Sequence, residues 1–309
     1  MGAILDALKN GTLFTGICSR LILGNSKTAH HLTNFSMQLK LSERLEKRYA
    51  SILEAFDKEY DAVTHECIRS NKVWVCWLQG MDNAPELVQR CYASLQQHLP
   101  ERDIILVTAE NMHRYAQLPG YILEKWKKGI ISNAHLSDLL RLDLLIRHGG
   151  TWIDTTVFCS GWSEKWNSLL DSDLFFYQML RPGRAGHTHF MSSWFITACT
   201  DNKILMAVQA MLYKYWEKKD RIDDYFLFHD FFGIALRRYP DMWDRVLPVE
   251  SSYSGMLQYR FFKPYDAERW NYMKSATPFH KLTYKVEPNK TQREGTYYRA
   301  FMEGELDRP

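Results

Sequence analysis

The chain has 309 residues, with 39 Lys plus Arg against 36 Asp plus Glu, so its formal charge of +3 is too balanced for a dedicated nucleic-acid binder. An apolar fraction of 46% beside 24% charged residues excludes a mostly disordered chain. The length fits one large α/β unit with additions, or about two domains. Aromatic residues reach 14%, and such side chains fill cores or line ligand pockets. The six cysteines, at positions 18, 67, 76, 91, 159 and 199, form no C-x-x-C pair and no zinc spacing. They are expected to be reduced core residues of a cytosolic protein. No apolar stretch reaches the about 20 residues of a membrane span. The start, MGAILDALKN, lacks the basic opening and cleavage site of a secretory signal. Its MGxxxD pattern is only loosely similar to a myristoylation signal, because Asp6 stands where Ser or Thr is favoured.

Residues 1–70 read as a helical extension. Leu41, Leu45, Tyr49, Ile52, Leu53 and Phe56 recur at helical spacing and predict an amphipathic helix from about Ser42 to Tyr60. It is expected to pack on the main domain; the alternative is a surface for lipid or a partner protein. From Lys72, KVWVCWL predicts a buried strand, Asp82–Pro85 a helix start, ELVQRCYASLQQHL a helix and DIILVT (103–108) a second strand. That is a βαβ unit, nearly always right-handed, with ligand sites expected beyond the C-terminal strand ends, here Trp77-Leu78-Gln79-Gly80. A helical stretch at Tyr121–Lys128 follows. Ser132-Asn133 then caps a helix that runs to His148, where Gly149-Gly150 stops it. TWID is the next buried strand, with Asp154 near its C-terminal end. Further strands are expected at 173–179 and 190–198, separated by the loop RPGRAGHTH, and helices at Asn202–Lys219 and Asp223–Arg238. The remainder, 240–309, is rich in Tyr, Phe, Arg and Pro and shows no repeat.

Asp138 and Arg141 lie three apart, hence on one face of a helix ringed by leucines. Charges there are costly unless paired or used. The bland alternative is a simple ion pair. Asp143 and Arg147, four apart, are expected to be an ordinary helix-surface pair. Asp154 stands where α/β folds bind ligands, though a strand-end carboxylate also serves to satisfy turn N–H groups. His229-Asp230 lies in the apolar run YFLFHDFFGIAL, where a buried Asp needs a role or a partner. His187-x-His189 has metal-like spacing but is read as loop, and His30-His31 carries no functional reading. Lys125-Trp126-Lys127-Lys128 and Tyr259–Lys263 mix cations and aromatics as membrane-surface segments do.

Taken together, Ser137-Asp138-Leu-Leu-Arg141 followed by Gly149-Gly150-Thr-Trp-Ile-Asp154 closely resembles the sugar-nucleotide signature of family 32 glycosyltransferases, most of all their capsular polysaccharide synthesis branch. Trp77–Gly80, Pro85–Cys91, Ser192–Phe195, His229-Asp230 and His280–Leu282 resemble segments of that branch in the same order, so the likeness covers about residues 72–288. It implies an α/β fold of GT-A type, Rossmann-like, for a catalytic domain at 71–288, with its nucleotide-sugar half at about 71–160 and its acceptor half at about 161–288; the added N-terminal helical segment (1–70) is not explained by the likeness, and C-terminal helices end in a tail (289–309). It also implies retaining transfer of a hexose, Gal or Glc, from a UDP-sugar. Asp138 and Arg141 would then bind donor-sugar hydroxyls, and Asp154 would be the first acid of a D-x-D motif facing ribose, sugar and metal. Trp77 and Gln79 would meet the nucleotide, His280 the metal and Lys281 the diphosphate. His229 and Asp230 would lie near the reacting centre, making them catalytic candidates beside Asp154. The chain departs from the pattern at Thr156, where the second acid is replaced by a hydroxyl. Mn²⁺ or Mg²⁺ is still expected, on Asp154, Thr156 and His280, with the diphosphate supplying further oxygens. The expected acceptor is a lipid-linked oligosaccharide, such as one on polyprenyl diphosphate, at the cytoplasmic face of a membrane. Two rivals are a catalytically silent scaffold of a polysaccharide assembly complex and a haloacid-dehalogenase-like phosphatase.

Overall fold

The structure, a computed structural model, describes residues 7–8, 10–180 and 189–307. The loop expected at RPGRAGHTH falls outside these residues except for His189. The centre is a mixed sheet of β1 (Lys72–Cys76), β2 (Asp103–Val107), β3 (Gly150–Ile153), β5 (Leu174–Gln178) and β6 (Met191–Ala198), in the order β2-β1-β3-β6-β5. β1 runs parallel to both β2 and β3, whereas β3–β6 and β6–β5 are antiparallel. The expected βαβ unit is present, with the helix Glu86–His98 as its crossover. Two short strands, β4 (Val157–Cys159) and β7 (Phe279–Lys281), form a separate antiparallel ribbon beyond the end of β3.

Both faces of the sheet are covered, which explains why its strands read as continuous apolar runs rather than alternating ones. On one face Trp74, Trp152, Phe176 and Ile196 pack against the helices Asn133–His148, Lys203–Lys218 and Leu227–Arg238. On the other, Val73, Val75, Ile153, Phe175 and Phe195 pack with Leu95, Leu99 and Phe279. Trp74 and Trp152 are fully enclosed, and truncation of such a side chain to Ala costs about 3–5 kcal/mol. A third apolar cluster joins Leu87, Cys91 and Phe158 to Trp270, Tyr297 and Phe301. Tyr297, Ala300, Phe301 and Leu306, all beyond residue 288, are part of this packing.

The N-terminal helix is longer than its apolar pattern suggested. It spans Lys27–Asp61, because Ser26 caps it by accepting from the Ala29 N–H at 3.1 Å. Leu41, Leu45, Tyr49 and Leu53 bury its second half in the main core, with Tyr49 edge-on to Phe231 at 4.7 Å. It packs on the main body as expected. A preceding helix, Leu13–Leu23, buries none of its residues. Among the described residues no helix is long and apolar enough to cross a membrane.

Two expectations are corrected here. Asp143 is not on the surface: it is buried, and it accepts from Arg147 Nε at 3.0 Å and from the Gln117 N–H at 2.7 Å. The leucine-rich helix is enclosed on most sides, so the carboxylate of its second charged pair is buried while Arg147 still reaches the surface. The cysteines are not all reduced. Cys67 and Cys199 form a disulfide across 132 residues, with Cα atoms 5.1 Å apart. Cys18, Cys76, Cys91 and Cys159 are free. The argument for a cytosolic setting rested on six reduced thiols and falls with them.

Candidate active site

A cleft of about 540 Å³ opens at the C-terminal ends of β1 and β3, where parallel strands leave room for ligands. The helix Asn133–His148 enters it with its first turns. Ser132 Oγ caps that helix on the His135 N–H, and the chain leaves it through Gly149 and Gly150 with φ of 63° and 94°. A Cβ at Gly150 would stand 2.3 Å from the Lys72 carbonyl oxygen. Only glycine lets β3 start this close to β1, and this junction fixes the helix relative to Asp154.

Across the cleft mouth four charged side chains converge. Arg141 pairs with Asp138 at 2.8 Å and lies 3.6 Å from Asp154 Oδ1. Its guanidinium is held between the rings of Trp152, 4.9 Å away, and Phe228, 5.3 Å away. Arg141 is only 4% exposed, and its Nε has no hydrogen-bond acceptor among the described residues. A buried donor left unspent is costly unless a ligand meets it. Asp154 Oδ1 accepts from Trp152 Nε1 at 3.0 Å, and Oδ2 accepts from Lys281 Nζ at 2.9 Å. Burial would raise the Asp154 carboxyl, but Lys281, Arg141 and these hydrogen bonds outweigh it and hold the group below the usual carboxylate range.

Lys281 reaches this site because of strand pairing. β7 runs antiparallel to β4 with Lys281 opposite Val157 and His280 opposite Phe158. Successive residues of a strand face opposite sides. Lys281 thus turns into the cleft, where its Nζ also donates to Thr156 Oγ1 at 2.6 Å. His280 turns away. Its ring is fully buried beside Phe158 and Trp270, its Nε2 meets Ser160 Oγ at 2.9 Å, and burial pushes its pKa down to about 3. The expectation that His280 faces the metal and nucleotide is corrected accordingly.

The remaining candidates separate in the same way. Trp77, Gln79, His229 and Thr156 line the cleft, with Trp77 edge-on to Tyr284 at 5.7 Å. Asp230 does not line it. It is 3% exposed and faces His189 at 3.6 Å, and burial raises its carboxyl to about 6 against the pull of that histidine. Its partner is inside the protein, so its placement at the reacting centre is corrected too. Sequence reasoning passed over His135, which lies 3.5 Å from Asp138, and Tyr225, Tyr284 and Ser193, which line the cleft. Of these only His135 carried a signal, its i, i+3 spacing to Asp138.

The expected Mn²⁺ or Mg²⁺ can be tested against this donor set. Mg²⁺ and Mn²⁺ want about six oxygens, and even where phosphate and water supply most of them the protein contributes one or two carboxylates not already paired to a cation. The cleft is lined by two carboxylates, Asp138 and Asp154, and at the motif positions by Asp154 and the Thr156 hydroxyl, both of which already accept from Lys281. Asp138 is tied to Arg141. Among the described residues, only Cys67, Asp173 and Cys199 bring three His, Cys, Asp or Glu ligand atoms within 4.8 Å of one another, and those cysteines are disulfide-bonded. The residues present do not fit a divalent cation. A larger cavity, about 680 Å³, opens beside the disulfide, but there Arg69 and Asp173 satisfy each other at 2.7 Å.

The chain is 27% identical over 198 residues to the O-glycosyltransferase braB of Annulohypoxylon truncatum; the match covers 59% of this chain and 45% of that protein. The chain thus spans under half the length of that curated relative. A solved structure, the PaToxG glycosyltransferase, superposes with a TM-score of 0.38 and 11% identity, covering 84% of this chain and 97% of that one. The model of the capsular polysaccharide synthesis protein family matches residues 25–301, nearly the whole sequence, and the chain belongs to that family.

Proposed function

We propose that the protein is a retaining glycosyltransferase that moves a hexose, Gal or Glc, from a UDP-sugar to a hydroxyl oxygen of its acceptor. The observation that carries this reading is the meeting of Asp138, Arg141, Asp154 and Lys281 in one cleft, with separations of 2.8, 3.6 and 2.9 Å along the chain of contacts. Asp138 supplies acceptors and Arg141 a rigid fork of donors, the pairing that suits sugar hydroxyls. Trp152 and Phe228 fix the guanidinium, so little side-chain entropy is lost on binding. Trp77 and Tyr284 offer aromatic surface for the base. In the reaction, the acceptor oxygen attacks the anomeric carbon on the face the diphosphate leaves. The C1–O bond to the diphosphate breaks, its electron pair stays with the diphosphate, and the acceptor proton passes to a diphosphate oxygen. No covalent nucleophile is assigned.

The acceptor is inferred to be lipid-linked. This reading is supported by the helix Leu13–Leu23, on which Phe14, Leu21 and Ile22 are about four-fifths exposed. It is also supported by the absence of any Asp or Glu from Ala7 to Ser42, a stretch that holds Lys9, Arg20, Lys27 and Lys40.

The test is hydrolysis of labelled UDP-Glc and UDP-Gal without acceptor, with the anomer of the released sugar read by NMR. Slow release of the α-hexose is expected, reduced at least 100-fold by Arg141→Lys, which keeps the charge and loses the fork. UDP binding without any turnover would favour the silent scaffold. No binding and no turnover of any nucleotide sugar would overturn the proposal.

A further inference from the structure

In this cleft a lysine bridges Asp154 and Thr156, and we propose that the Lys281 ammonium, in place of a divalent cation, carries the charge of the departing nucleoside diphosphate. The inference rests on the glycosyltransferase reading above. Three observations support it.

First, Lys281 Nζ bridges the two groups at the motif positions, Asp154 Oδ2 at 2.9 Å and Thr156 Oγ1 at 2.6 Å. A cation shared by those positions would need the same space. A second carboxylate at position 156 would add a negative charge and favour a divalent ion; a hydroxyl leaves a balance that one ammonium meets.

Second, the lysine is held in place by backbone. The Lys281 N–H donates to the Ser254 carbonyl at 2.9 Å, and the next residue, Leu282, donates to the Thr156 carbonyl at 2.9 Å. The strand carrying the ammonium is thus locked to the turn carrying Thr156. A group pre-placed where charge develops stabilises it without reorganising at the moment of reaction.

Third, the charge count suits a diphosphate. Asp138 and Asp154 face Arg141, Lys281 and the exposed Lys285 across the cleft, which leaves a net positive site before any ligand enters. An ammonium has three protons. Two are spent on Asp154 and Thr156, leaving the third for a phosphate oxygen. As the C1–O bond breaks, its electron pair goes to the diphosphate beside this ammonium. Lys281 stays protonated throughout, and the acceptor proton goes to the diphosphate, so the step needs no further reactant.

The experiment uses the full chain, stripped of metal with chelating resin. Turnover of UDP-Glc and UDP-Gal is measured in EDTA, in Mn²⁺ and in Mg²⁺, and UDP binding is followed by calorimetry in the same buffers. The expected result is a rate and a UDP affinity that change less than threefold among the three conditions. Lys281→Met is expected to lose at least 100-fold in kcat with a smaller change in KM, and Lys281→Arg to recover part of that loss because it returns the charge. A structural role alone would not split kcat from KM or respond to returned charge. Loss of wild-type turnover in EDTA, restored by Mn²⁺, would overturn the inference and leave the glycosyltransferase reading standing. So would a Lys281→Met enzyme within threefold of wild type. Should Lys281→Met fail to fold, the chelator result on the wild-type protein decides alone. A wild-type protein that binds no nucleoside diphosphate sinks both readings.

Discussion

Arg141 sits between two aromatic rings and two carboxylates, and nothing about its neighbours needs a distant part of the chain except the Phe228 ring. That is why the Asp138, Arg141 and Asp154 group was legible in the sequence: helical spacing puts the first two on one face, and two glycines deliver the third at a strand end. His280 and Lys281 were a different case. Both were candidates, and strand geometry guarantees that only one of two adjacent residues faces a given side. Which one depends on pairing with β4, over 120 residues earlier, and no local pattern encodes that phase. The burial of His280 has a measurable consequence. Its folded pKa is about 3 against an ordinary value of 6.5. Below pH 6.5 the unfolded chain takes a proton that the folded chain refuses, so stability is complete above that pH and falls as the solution is acidified toward pH 3. Between pH 6.5 and 4 this single group accounts for at most about 3 kcal/mol. His280→Gln, which can still meet Ser160, is expected to flatten that part of the acid loss. Urea unfolding of both proteins across pH 4–7 checks it, and parallel curves would refute it.

The element with least explanation in the core is the helix Leu13–Leu23. It lies against the Lys27–Asp61 helix, close enough that a Cβ at Gly16 would come within 2.8 Å of Met37 Sδ. Its outer face presents Phe14, Ile17, Leu21 and Ile22, which follow the i, i+3, i+7, i+8 rule of one helical stripe. The 42–60 stretch has the clearer apolar rhythm, and packing on the main domain is the reading that rhythm favours over a lipid or partner surface. The structure spends that rhythm on the core. A strongly apolar stripe beside cations and no acids is the pattern of a segment lying on an anionic bilayer. Each buried side chain of this size contributes about 1.5–3 kcal/mol, and each nearby cation about 1 kcal/mol. The intact chain is expected to sediment with vesicles containing phosphatidylglycerol and much less with pure phosphatidylcholine. The double substitution Leu21→Asp with Ile22→Asp should reduce sedimentation at least tenfold while leaving hydrolysis of the nucleotide sugar unchanged, since neither residue touches the cleft. Equal sedimentation of both proteins would refute the membrane role.

At the scale of the whole molecule, the disulfide joins the chain just before β1 to the chain just after β6, at the one end of the sheet where β1 and β3 begin and β6 finishes. The hydrogen bonds there run the same way: the Thr200 N–H donates to the Ile68 carbonyl, and Thr200 Oγ1 accepts from the Ile68 N–H, both at 3.0 Å. The two cysteines meet because the antiparallel β6 returns to the edge of β3 where β1 began. Spacing along the chain holds no trace of that, so the counting of cysteines that suggested reduced thiols had no access to the pairing. In the chain-entropy account, closing a loop of this length restricts the unfolded state by about 5 kcal/mol. Native contacts near the bond already hold the two segments, so the folded state survives its loss and the effect appears as lowered stability. Alkylation of the denatured, unreduced protein should modify the four cysteines outside the disulfide, and all six after reduction, as read by intact mass. Reduction should lower Tm by up to about 8 °C for a chain of this size, with the Cys67→Ser and Cys199→Ser double variant melting at the reduced temperature in either buffer. Six alkylations before reduction, or a Tm indifferent to reductant, would return the protein to the reduced state that its cysteine spacing first suggested.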